Sequence, residues 1–122
     1  MGDGISNLLK YAFNMDPTYA YRGPERELEP SVGFEGLPVI TTGSTGALRV
    51  EYLRATNPGD RVYQVQFCSD PSVSGSGGWL PATGGELVEP LNADWNRVYV
   101  TDQPPPGATN RFGRVRVILS GT

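Results

Sequence analysis

The sequence predicts an all-β fold, a Greek-key sandwich of about seven strands with one short N-terminal helix in front of it. Three observations carry that expectation. Apolar and polar residues alternate in several short runs, as strands with one buried face require. Turn chemistry separates the runs. With 16 Gly and 11 Pro among 122 residues, there is little room for long helices. The length suits one domain with one core. Its expected parts are an N-terminal helix over residues 1–17, an extended connector over 18–35 and the sandwich over 36–122.

The helix comes first. Ile5, Leu8, Leu9, Ala12 and Phe13 recur at helical spacing, and Ser6 or Asp3 can cap the first turn. Asn14 and Asp16-Pro17 end it, because the residue before proline is pushed out of the helical region. A helix this short is marginal in water, so Ile5, Leu8, Leu9 and Phe13 are expected to pack against the sandwich. From Thr18 to Pro30 no period is visible, and the segment reads as an extended connector wrapped on the domain.

The strands follow. Leu37 to Thr42 is a weak candidate. Leu48, Val50 and Tyr52 alternate with Arg49 and Glu51, which reads as a half-buried strand. After the turn residues Asn57-Pro58-Gly59-Asp60, Tyr63, Val65 and Phe67 are expected inside, with Gln64, Gln66 and Cys68 outside; the two runs read as a hairpin. A loop of small residues over 70–78 leads to Trp79-Leu80. Glu86 to Val88 is a second weak candidate, whereas Trp95 to Asp102 and Arg111 to Leu119 are strong ones. The stiff, proline-rich stretch from Gln103 to Asn110 joins these two. In the last run Val115, Val117 and Leu119 share one face, with Phe112, Arg114, Arg116 and Ile118 on the other, where arginine stems can cover apolar surface.

Composition excludes several functions. With no histidine and a single cysteine, Cys68, neither Ser-His-Asp nor Cys-His catalysis nor the usual zinc sites can be built. The net charge is −3 and the ten basic residues are scattered, so no nucleic-acid or polybasic membrane surface is expected. No apolar run approaches the roughly 20 residues that span a bilayer, so no membrane span is expected, and the opening residues do not read as a signal peptide.

The sharpest motif is the opening, Asp3-Gly4-Ile5-Ser6-Asn7-Leu8-Leu9-Lys10-Tyr11-Ala12-Phe13-Asn14-Met15-Asp16-Pro17. It resembles the second half of the D-x-D-G-D-G-I-S-N-L-x-E-Y-A calcium-loop helix, EF-hand-like or dockerin-like, that precedes an accessory β-sandwich in large secreted bacterial proteins. The later segments Val62–Asp70, Trp79 and Arg111–Val117 resemble strands of the same modules. The resemblance implies a fibronectin III-like or immunoglobulin-like sandwich with an accessory or anchoring role. Asp3, Ile5 through its carbonyl and Asn7 would take the calcium positions. Two departures stand out: Met1 occupies the third loop place, and Lys10 stands where a bidentate glutamate belongs. No cofactor is therefore expected, with Ca2+ the one candidate. Added calcium is expected to leave stability nearly unchanged.

Two further constellations bear on function. Trp79, Trp95 and Tyr99, with Tyr19 and Tyr21, could form a platform on which sugar rings stack, although a sandwich commonly uses its tryptophans for packing. Asp94, Asp102, Glu51, Glu86 and Glu89 could supply a glycosidase acid and base only if two of them converged across a cleft. Lys10 is expected to be solvated, and the carboxylates to lie in turns and at strand ends. No catalytic residues are therefore assigned. The expected function is a non-catalytic extracellular or cell-surface module that joins neighbouring domains, anchors to a surface, or assembles with copies of itself into a fibre or array. The alternative is a carbohydrate-binding module for cell-surface glycans.

Overall fold

The computed structural model describes residues 5–42, 47–69, 79–82, 85–104 and 111–119. Asp3, the loop over 70–78 and most of the proline-rich stretch, residues 105–110, lie outside the described residues.

The helix α1 spans Asn7–Ala12, and the Ser6 side chain caps it by accepting the Leu9 N–H at 3.2 Å. It stops where the sequence predicts. Asn14 takes a left-handed φ of 59°, and the Met15 N–H donates back to the Lys10 carbonyl at 2.8 Å, a closing bond that satisfies an otherwise orphaned carbonyl. Asp16 then accepts both the N–H (2.8 Å) and the hydroxyl (2.7 Å) of Thr18 across Pro17, turning the chain away. Ile5, Ala12 and Phe13 join the main core, and Leu9 packs against it half-buried.

Seven strands follow in two antiparallel sheets: β1 (Val39–Thr42), β2 (Leu48–Ala55), β3 (Arg61–Cys68), β4 (Leu80–Pro81), β5 (Glu86–Pro90), β6 (Trp95–Thr101) and β7 (Phe112–Leu119). One sheet has the order β1-β2-β6-β5, the other β4-β3-β7. Val50 lies opposite Val100 and Tyr52 opposite Val98 in the first; Val65 lies opposite Val115 in the second. The fold is thus an all-β sandwich. The expected hairpin between β2 and β3 does not form: the Asn57–Asp60 turn carries the chain from one sheet to the other. Strand alternation is the same whether a strand pairs with its predecessor or crosses over it, so local pattern could not separate the two.

The inward faces of β2, β3 and β6 meet in a core of Val50, Tyr52, Val65, Phe67, Val98 and Val100, flanked by Tyr63, Val115 and Val117. Gly113 lies on the inward face of β7, and a Cβ there would sit 2.9 Å from a Phe67 ring carbon and 3.0 Å from a Val50 methyl. The helix closes the end of the sandwich where β2 leads to β3. There the Tyr63 hydroxyl donates to the Ala12 carbonyl at 2.6 Å, and Phe13 meets the Tyr63 ring edge-on.

The outer face of the four-stranded sheet departs furthest from expectation. Glu51 is fully buried and Arg97 is 2% exposed, because the connector folds over them. The Ser31 N–H donates to Glu51 Oε2 at 2.7 Å, Arg97 donates to the Gly33 carbonyl, and Arg97 sits 3.2 Å from Glu51 and 2.8 Å from Glu89. Leu28 of the connector packs with Val39 and Leu53 in a second small core. The half-buried strand expected at 48–52 is therefore covered on both faces. Gly36, at φ 132°, permits this wrapping, since a Cβ there would lie 2.5 Å from the Leu28 nitrogen. Asp102, also buried, takes a bidentate pair from Arg111 at 2.8 and 2.9 Å, clamping together the two ends of the proline-rich stretch.

Candidate functional site

At the helix-capped end of the sandwich, a cleft of about 460 Å³ opens between α1, the Asn57–Asp60 turn and the start of β6. Its walls include Asn7, Tyr11, Asn57, Arg61, Asp94 and Trp95. Arg61 stands between two rings, 4.1 Å from the Tyr11 centroid and 5.9 Å from that of Trp95. It is held there by bonds to the Pro58 carbonyl (3.0 Å) and the Tyr11 carbonyl (3.2 Å). The wall at Trp95 is built by the turn before it: the Asn92 side-chain oxygen accepts the N–H groups of Asp94 (2.8 Å) and Trp95 (2.9 Å). The Thr56 N–H donates to the Asp94 carbonyl at 2.8 Å, tying that turn to the end of β2.

Lys10 also lines this cleft, but it is not solvated as the sequence suggested. It is fully buried, its Nζ donates to the Tyr19 carbonyl at 2.8 Å, and it lies 5.5 Å from the Tyr21 ring centroid. The stem of a lysine on the inner side of a short helix packs like an apolar side chain while its ammonium finds a carbonyl.

The aromatic residues proposed as one sugar platform are split. Trp95 and Tyr99 share the outer face of β6, with the covered Arg97 between them, and Arg49 lies over the Tyr99 ring at 5.0 Å. Trp79 belongs to the other sheet, where Arg114 stacks on it at 4.2 Å. Tyr19 and Tyr21 meet each other edge-on at 4.7 Å in the connector. Burial pushes the Tyr21 phenol up, and its hydroxyl bonds Glu35 at 3.0 Å.

Of the calcium-loop residues, Ile5 enters the core and Asn7 faces the cleft. The twelfth loop place, Lys10, is turned inside. No group of three or more His, Cys, Asp or Glu suited to a metal ion occurs among the described residues. The carboxylates weighed as a glycosidase pair are matched to arginines: Glu86 to Arg54 at 2.6 Å, Glu51 and Glu89 to Arg97, and Asp102 to Arg111. Asp94 is the member of that set that lines the cleft beside Trp95. A wider cleft of about 730 Å³ lies under the connector, where Asp16, Glu25, Glu27, Glu29 and Glu35 surround the exposed Phe34. The hydrogen bonds from Thr18, its hydroxyl first, hold the Asp16 carboxyl below its usual range.

A second feature is two of the four sheet edges, those of β7 and β5. Among the described residues β7 pairs only with β3, and β5 only with β6. On β7, Val115 and Val117 face the core yet stay half-buried, while Phe112 and Ile118 are exposed. Every residue of β5 is exposed. The cleft was missed in the sequence because Arg61 and Tyr11 are 50 residues apart; the only local sign of it was the turn chemistry preceding Trp95.

No helix among the described residues is long and apolar enough to cross a membrane. Fold and sites together define a small all-β sandwich with a cleft at its helix-capped end and, among the described residues, open sheet edges. No family model, curated protein or solved structure matches this chain.

Proposed function

We propose that this chain is a non-catalytic extracellular interaction module that joins neighbouring domains or copies of itself through the edge of its smaller sheet. The observation that carries this is β7. It is an eight-residue strand with no partner on its far side among the described residues, and its core-facing valines remain half-buried. An added strand would pair its free backbone groups and complete the cover of Val115 and Val117. The strand order supports the same reading. In immunoglobulin-like sandwiches a four-stranded A-B-E-D sheet faces one in which strand F lies between C and G. The β1-β2-β6-β5 sheet has the A-B-E-D order, and in the other sheet β3 and β7 hold the neighbouring places of C and F, with β4 beyond β3 and no strand in the place of G among the described residues.

The open edges also differ in charge. β7 presents Arg114 and Arg116, and β5 presents Glu86 and Glu89, which remain partly exposed beside their own arginines. A β5 edge of one copy set against the β7 edge of the next is a head-to-tail contact, which extends rather than closes. Sedimentation across a concentration series tests this. The average mass is expected to rise with concentration, and both Arg116→Glu and added salt should weaken association, the substitution by about tenfold. A monomer at every concentration, or association indifferent to Arg116→Glu, refutes self-assembly through this edge.

A further inference from the structure

We propose that the end cleft beside Trp95 binds a short neutral oligosaccharide, with the Trp95 ring as stacking surface and Asn57, Asp94 and Asn7 as hydroxyl partners. This goes beyond the joining role of the β7 edge and stands independently of it. Size is the first argument. At about 460 Å³ the cleft falls within the range of small-molecule sites, large enough for one or two sugar rings.

Chemistry is the second. Sugar rings present apolar C–H faces and pairs of adjacent hydroxyls; an indole face suits the former, and planar amides and carboxylates suit the latter. Asn7, Asn57 and Asp94 line this cleft, and their side chains are engaged by no other described residue. Rigidity is the third. The Asn92 side chain locks Asp94 and Trp95 through two backbone bonds, and the Thr56 bond ties that turn to β2, so little ordering remains to be done on binding.

Charge selects a neutral ligand. The two cations at the cleft are already committed, Lys10 to the Tyr19 carbonyl and Arg61 to the Pro58 and Tyr11 carbonyls between its two rings. A cationic ligand meets their repulsion and finds the Tyr11 face, 4.1 Å from Arg61, already occupied. An anionic one meets the exposed Asp94 carboxylate. A ligand rich in hydroxyls and without charge avoids both costs.

The test uses the chain labelled for amide and indole NMR, titrated at millimolar concentration with cellotetraose, maltotetraose, xylotetraose and chitotetraose, and separately with an anionic hexuronate tetramer and a short peptide. At least one neutral tetrasaccharide is expected to shift the Trp95 indole and the Asn57 and Asp94 amides while leaving the Trp79 indole in place. Asn57→Ala and Asp94→Ala should each weaken that binding by about tenfold. Both residues are exposed, so these variants are expected to fold, unlike a truncation of Trp95, which packs against Leu28 and Leu53. Absence of any shift at Trp95 with the four neutral sugars overturns the proposal. So does binding mapped to Trp79 or Tyr99, binding only of the hexuronate or the peptide, or affinity unchanged in both variants.

Discussion

Tyr52, at the centre of β2, is 2% exposed and stacks on Tyr63 with ring centroids 5.9 Å apart. Burial pushes its phenol from 10.0 up to about 12, and burial raises Tyr63 and Tyr21 in the same direction. In the unfolded chain these phenols ionise first. Between the two values the folded state holds more protons than the unfolded one, so stability is complete below pH 10 and is lost as pH rises through about 12. Alkaline unfolding followed by circular dichroism should therefore show a loss of about 1–3 kcal/mol over this window, smaller in Tyr52→Phe. That Tyr52 faces inward was legible from its alternation with Arg49 and Glu51. That Glu51 is also buried was not, because alternation says which residues share a face and nothing about what later covers it. The pairing of Glu51 with Arg97 is a consequence of that cover: a buried charge without a partner is too costly to keep, and removing Arg97 would leave Glu51 without its ion-pair partner, whereas Arg97 also has Glu89.

At the scale of elements, the helix shows how the ends of an element can be legible while the place of its side chains is not. Its start at Ser6 and its stop at Asn14 follow from capping and from the left-handed residue after the last turn, both local and both readable. Its relation to calcium depends on Lys10, and the structure places that side chain inside, bonded to the Tyr19 carbonyl. Placing an acidic residue at this position should therefore not create a calcium site. Lys10→Glu puts a carboxylate against a carbonyl oxygen in a buried position and is expected to destabilise the fold by about 3 kcal/mol or more. Thermal melts with and without millimolar calcium check this: the variant should melt lower, and calcium should raise neither midpoint by more than a few degrees. A large calcium-dependent rise in the variant would mean that Lys10 is the only obstacle to the ion. Among the strands, β3, β6 and β7 match the alternation to within a residue or two because it is long, while β2 runs three residues beyond Tyr52, to Ala55. The two-residue β4, Leu80–Pro81, is too short to have a period.

For the whole molecule, the segments before the strands pack as part of the sandwich. The connector supplies Leu28 and Ser31 to the outer face of the larger sheet, and the helix supplies Ile5, Ala12 and Phe13 to the central core. A chain cut to residues 36–122 would expose the Glu51–Arg97 pair and both sets of contacts. Such a fragment is expected to be unfolded or aggregated, whereas the full chain should unfold in one step by tryptophan fluorescence and by circular dichroism alike. A fragment that melts cooperatively near the full chain's temperature would show the first 35 residues to be an appendage. Local chemistry alone determined the all-β class, the longer strands, the helix and its caps, and the exclusion of histidine- and cysteine-based catalysis, since each depends on residue type or on spacing within one element. Only the tertiary structure decided which strands pair, that β2 and β3 belong to different sheets, that the connector buries Glu51, and that Tyr11, Arg61 and Trp95 converge on one cleft. Those outcomes depend on groups far apart in the chain whose meeting is set by the total burial of apolar surface, a quantity that no short window of sequence contains.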